Sequence, residues 1–126
     1  MNILSLLLFL HNGLFRAGLI ITGFIAIWSA ALYLRKHAPS GSFRATLVLT
    51  EGLFIVQGLV GIAMFLAGAR PHDPLHWLYG PLLVIVLPIA ATYVSGRERR
   101  REAMVYGLAA LFMFGLAIRA WMTGHV

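Results

Sequence analysis

Four long apolar stretches, separated by short segments that hold most of the charge, leave this 126-residue chain little choice of environment. A bilayer core about 30 Å thick needs about 20 mostly apolar residues per helix. The first stretch runs from about Ile3 to Leu34 and stops at Arg35-Lys36-His37, before a polar loop containing Pro39-Ser40-Gly41-Ser42. The second runs from about Ala45 to Ala69 and stops at Arg70-Pro71. Asp73-Pro74 opens the third, an N-cap type followed by a residue suited to the first helical position. That span continues to about Val94 and is closed by Ser95-Gly96-Arg97; the fourth runs from about Ala103 to Thr123. The expected fold is all-α: one four-helix transmembrane bundle over residues 1–126, with helices at about 3–34, 45–69, 74–94 and 103–123.

Composition agrees. The chain is 60% hydrophobic and 11% charged, whereas a soluble domain is roughly half apolar and about a quarter charged. Disorder needs low hydrophobicity and is excluded. The absence of cysteine removes disulfides, thiolate zinc, iron–sulfur clusters, c-type haem attachment and cysteine nucleophiles. The first span is too long for a signal-peptide core and no basic residue precedes it, so it is expected to be retained as a helix.

Basic residues predict the orientation. Arg35, Lys36 and Arg44 mark the first loop, and Arg97, Arg99, Arg100 and Arg101 the third; the other side has only Arg70 and the membrane-edge Arg119. The positive-inside rule then puts both termini outside the cytoplasm, in a bacterial inner membrane. Glu98 and Glu102 interrupt the basic third loop, and no aromatic residues are interleaved, so anionic lipid rather than nucleic acid is the expected contact.

The chain also reads as two helical hairpins. Leu10-His11 and Leu75-His76 open the two halves, and Gly58-Leu59-Val60 and Gly115-Leu116-Ala117 fall in their second helices. Repeats in membrane proteins often place a site between the halves.

Converting position to depth gathers the unusual residues into one layer. His11 lies 24 residues before Arg35, roughly 36 Å along its helix; His76 lies 21 before Arg97, about 31 Å; His125 lies 24 after Arg101, about 36 Å. Arg16 and Arg119 come out at about 28 and 27 Å, and Arg70, His72 and Asp73 sit over the layer. Ionisable residues within spans are costly and commonly functional. For each arginine the plain alternative is snorkelling to headgroups, and for each histidine an interfacial hydrogen bond.

A b-type haem gives the layer a single cause, since it needs two axial imidazoles, a flat apolar slot and cations near its propionates. His11 and His76 are the expected iron ligands; Arg16, Arg70 and Arg119 are candidates for the propionates, and Gly18 and Gly80 would leave room for a porphyrin edge. Small residues serve plain helix packing equally well. A copper or zinc site drawing on His72 and His125 beside His11 and His76 is the second reading, because imidazole suits both metals. Glu51 and Gln57 lie inside the second helix; Glu51 reaches back toward the basic loop or marks a proton or quinone site. Pro81 and Pro88 sit inside the third helix, where each removes a backbone hydrogen bond and can kink it. Trp28, Trp77, Tyr79 and Trp121 read as interface anchors or bundle filling, with Trp77 and Tyr79 near enough to line a pocket.

Leu10-His11 with Arg16, and Asp73-Pro74-Leu75-His76, give the chain a layout that resembles small four-helix membrane cytochromes of the b type and, more loosely, one half of haem A synthase. The resemblance implies bis-histidine haem b at His11 and His76. It does not extend to haem modification, because that family's half-unit draws its ligands from its second and fourth helices.

Three functions compete. The first is electron transfer through haem b, alone or in a respiratory or photosynthetic complex, with a quinone or an electron-transfer protein as partner. The second is a cofactor-free accessory subunit packed in a larger membrane complex or homo-oligomer. The third is a small metal or solute carrier. No triad, paired carboxylates or phosphate loop points to a hydrolase, so redox chemistry through a cofactor is the enzymatic route left open.

Overall fold

The computed structural model describes residues 2–95 and 99–124, with the backbone alone at 99 and 100. Its elements are four helices: α1 (Ile3–Leu34), α2 (Gly41–Leu66), α3 (His76–Val94) and α4 (Arg99–Gly124). No strand occurs among the described residues. All four helices are long and apolar enough to cross a bilayer. Their outward faces stay apolar, with Ile20, Ile27, Val48 and Leu66 all exposed, which only lipid tolerates over so large an area. The chain is an integral membrane protein.

Local chemistry sets the helix ends, and four of them differ from expectation. Ser40 rather than a residue near Ala45 starts α2: its Oγ accepts from the Phe43 amide at 3.1 Å. Gly68, at φ +106, ends that helix short of Ala69, and the Ala69 amide folds back onto the Met64 carbonyl at 2.9 Å. α3 begins at His76 rather than Pro74 because the amides of His76, Trp77 and Leu78 bond three residues back, in a 3₁₀ turn. Asp73 still acts as a cap, accepting from the Leu75 amide at 2.9 Å. α4 starts four residues earlier than its apolar run, which places Glu102 in its first turn. Pro81 and Pro88 stay inside a continuous α3.

The helices form a ring in chain order, each packed on its neighbours; α1 and α3 are diagonal to each other, as are α2 and α4. The bundle has a terminal end, where α1 begins and α4 finishes, and a loop end, where residues 35–40 join α1 to α2. Near the loop end the interior is filled by Phe43, Ile25, Met113 and Tyr106, with Trp28 set edge-on to Phe43 at 5.2 Å. The fully buried hydroxyls of Thr22 and Thr50 bond carbonyls one turn back, at 2.8 and 2.7 Å. Gly107 lets α4 close on α1, since a Cβ there would lie 2.7 Å from that of Ser29. Arg44 and Glu102 join the diagonal pair α2 and α4 through two 3.0 Å hydrogen bonds. Of the four neighbouring pairs, α2 and α3 are the least engaged.

Candidate functional site

The loosely closed α2–α3 seam opens at the terminal end into a cleft of about 850 Å³. That lies within the range of about 300–1,000 Å³ usual for ligand sites. Leu8, Phe54, Met64, Leu83 and Trp121 give it apolar walls, with Phe15 stacked on Trp121 at 6.0 Å. Two of the expected residues define its interior: His11 from α1 and His76 from α3.

Their backbones belong to diagonal helices, yet their rings approach to 6.2 Å between centroids at an interplanar angle of 64°. An imidazole–metal bond is about 2.0–2.1 Å, so two such bonds in line, plus the distance from each nitrogen to its ring centre, span about 6 Å. The centroid spacing matches that of two imidazoles with one ion between them, and the two rings meet edge-on.

Each ring is seated against the second helix of its own hairpin. His76 Nδ1 lies 2.8 Å from the Ala120 carbonyl, which can only accept, so Nδ1 carries the proton and the Nε2 lone pair is left for a ligand. Metal-binding histidines are commonly oriented in this way. A Cβ on Gly124, one turn beyond Ala120, would lie 2.5 Å from His76 Cε1. On the other side, a Cβ on Gly61 would lie 3.3 Å from His11 Cε1. The Gln57 side chain, one turn before Gly61, donates to the His11 carbonyl at 2.9 Å. His11 Nδ1 itself is buried and has no hydrogen-bond partner. Gln57 and Gly61 thus mirror Ala120 and Gly124, and the correspondence between hairpins lies in these contacts rather than at Gly58 and Gly115. Sequence reasoning missed the glycine seats. Glycine one turn after the residue that contacts each histidine was the available signal, but it emerges only once the helices are paired.

The remaining expected residues divide. Gly80 lines the cleft with open space where a Cβ would stand, and Trp77 lies beside it, edge-on to Phe65 at 5.0 Å. Arg70 reaches the cleft mouth, its guanidinium 4.0 Å over the Phe65 ring, with Nη1 donating to the Phe65 and Ala69 carbonyls. Arg16 and Arg119 do not line the cleft, which corrects their expected place beside it. Five residues turn a helix by about 140°, so Arg16 faces outward when His11 faces in. Arg119 is likewise exposed, with its guanidinium 5.9 Å over Tyr79, a ring that also lies off the lining. Gly18 belongs to helix packing: two turns below His11, it takes the Phe54 ring where a Cβ would stand 2.8 Å from Cζ. His72 is exposed in the loop and off the lining; His125 lies outside the described residues. No group of three metal-binding side chains gathers among the described residues, so a copper or zinc cluster including His72 is not assembled there.

Glu51 and Gln57 each keep one buried oxygen without a partner. Gln57 lines the cleft; Glu51 lies one turn below Phe54 on the inward stripe of α2. It does not reach the basic loop's Arg44, whose forked donors go to Glu102. No protein-family model, curated protein or solved structure matches this chain.

Proposed function

We propose that this is a membrane haem b protein that carries electrons, alone or as a small subunit of a respiratory or photosynthetic complex. The observation that carries the reading is the approach of His11 and His76 across the bundle diagonal to a spacing at which both imidazoles would hold one iron. Haem held there supplies one-electron chemistry. The chain's part is to hold two imidazoles in place, exclude water with apolar walls, and offer the Arg70 guanidinium to a propionate at the mouth. Gly80 leaves the wall beside His76 free of side chain. The basic loops favour both termini non-cytoplasmic, so in a bacterial inner membrane electrons would be exchanged near the outer face with a quinone or a carrier protein.

The test is a visible spectrum, oxidised and dithionite-reduced, of protein purified from haem-replete cells. Wild type is expected to show a Soret band and sharp reduced bands, with both changed in His11→Ala and His76→Ala. A colourless wild type refutes the reading and favours the cofactor-free accessory subunit.

A further inference from the structure

We infer that the two histidines are unequal ligands, His76 fixed and His11 exchangeable, so that the reduced centre also binds a small neutral ligand on the His11 side. The inference rests on the haem reading above and adds a binding site to it.

Two independent features separate the rings. The first is hydrogen bonding. His76 Nδ1 is held by the Ala120 carbonyl at 2.8 Å, with the Thr123 hydroxyl at 3.4 Å, whereas His11 Nδ1 is buried without a partner. A ligating imidazole that donates its second N–H is better oriented and more basic, and losing that support commonly lowers metal affinity about 10–100-fold. The second feature is packing. His76 is wedged against Gly124 so closely that three of its ring atoms lie within 3.0 Å of where a Cβ would stand; His11 meets only a 3.3 Å approach at Gly61. His76 is held by a short hydrogen bond and a tight seat, whereas His11 lacks the Nδ1 bond and has the looser seat.

The cleft gives the looser ring somewhere to go. It extends along α1 past His11 to Leu4, Leu8 and Asn12. On the adjoining α2 wall the Gln57 Oε1 is an unused acceptor, a partner of the right kind for the N–H of a displaced His11 imidazole. The walls around it are apolar, which suits an uncharged diatomic ligand better than an anion.

Carbon monoxide is the probe, added to dithionite-reduced, detergent-purified, full-length protein. Wild type is expected to show a CO-dependent Soret shift. His11→Ala is expected to retain haem and to take up CO faster than wild type, because no imidazole has to leave first. His76→Ala is expected to lose most of its haem, and added imidazole is expected to restore it. A Soret band in wild type with no response to CO overturns the inference and leaves the haem reading standing. So does the reverse ranking, with haem kept in His76→Ala and lost in His11→Ala. A wild type without any Soret band overturns both.

Discussion

Gly124→Ala tests the seat of His76 most directly. The new methyl carbon would stand 2.5 Å from Cε1, 2.6 Å from Nδ1 and 3.0 Å from Nε2. Ordinary carbon contacts are about 3.5–4.0 Å, so the ring has to retreat by about 1 Å. That movement stretches the 2.8 Å bond from Nδ1 to the Ala120 carbonyl past the hydrogen-bond limit of about 3.2 Å. Overpacking costs about 1–3 kcal/mol, and the lost bond about 0.5–1.5 kcal/mol. Alanine recovers little helix propensity at this position, because Gly124 is the last residue of α4. The expected net loss is about 2–3 kcal/mol. Gly61→Ala is the control: its Cβ is 3.3 Å from His11 Cε1, a few tenths of an ångström of give restores the contact, and alanine inside α2 regains about 0.8–1.0 kcal/mol. Denaturant titration in a mild detergent is expected to rank Gly124→Ala well below wild type and Gly61→Ala close to it. A ¹⁵N spectrum of labelled histidine reports whether His76 keeps its Nδ1 proton. Equal stability of the two variants, with the His76 signal unmoved, would refute the reasoning.

Three further outcomes follow from the packing of the bundle. Arg44→Ala leaves the nearly buried Glu102 carboxylate without its forked donor, whereas Glu102→Gln leaves a half-exposed guanidinium that water or headgroups solvate, so thermal melts should show the arginine variant as the weaker. Gly107→Ala drives a methyl into Ser29 Cβ at 2.7 Å where α1 and α4 pack, an overpacking of about 1–3 kcal/mol offset by the roughly 0.8–1.0 kcal/mol that alanine regains inside α4. Denaturant titration should show a net loss of up to about 2 kcal/mol without altering any spectrum of the distant cleft. Glu51→Met removes a buried oxygen with no partner and keeps most of the volume, so the same titration should show a gain of about 1–3 kcal/mol; a loss would mean that Glu51 is bound to something.

The spans were legible because lipid imposes a length and a composition on each helix, and neither depends on what the helix touches. The ends were less legible, for identifiable reasons. Gly68 is an adequate stop signal, but the apolar run through Ala69 masks it. Pro74 suits a first helical turn, yet the turn it enters is 3₁₀ and the α-helix waits for His76. At the site, His11 and His76 could be chosen because ionisable groups in a membrane are few. Arg16 and Arg119 lie at the right height and on the wrong side of their helices, a difference that depth alone does not report. The Arg44–Glu102 pair escaped notice because Arg44 already had a topological explanation and Glu102 sits 58 residues away. The glycine seats depend on which helices become neighbours, and no periodicity within one helix reports that.

The forked bond between Arg44 and Glu102 ties one diagonal of the bundle at the loop end, while at the opposite end the α2–α3 seam is the slackest of the four. Such a body behaves like a pair of tongs riveted near one tip. Its fastened part is the packed core around Phe43, and its least engaged side is the seam over the cleft that His11 and His76 line.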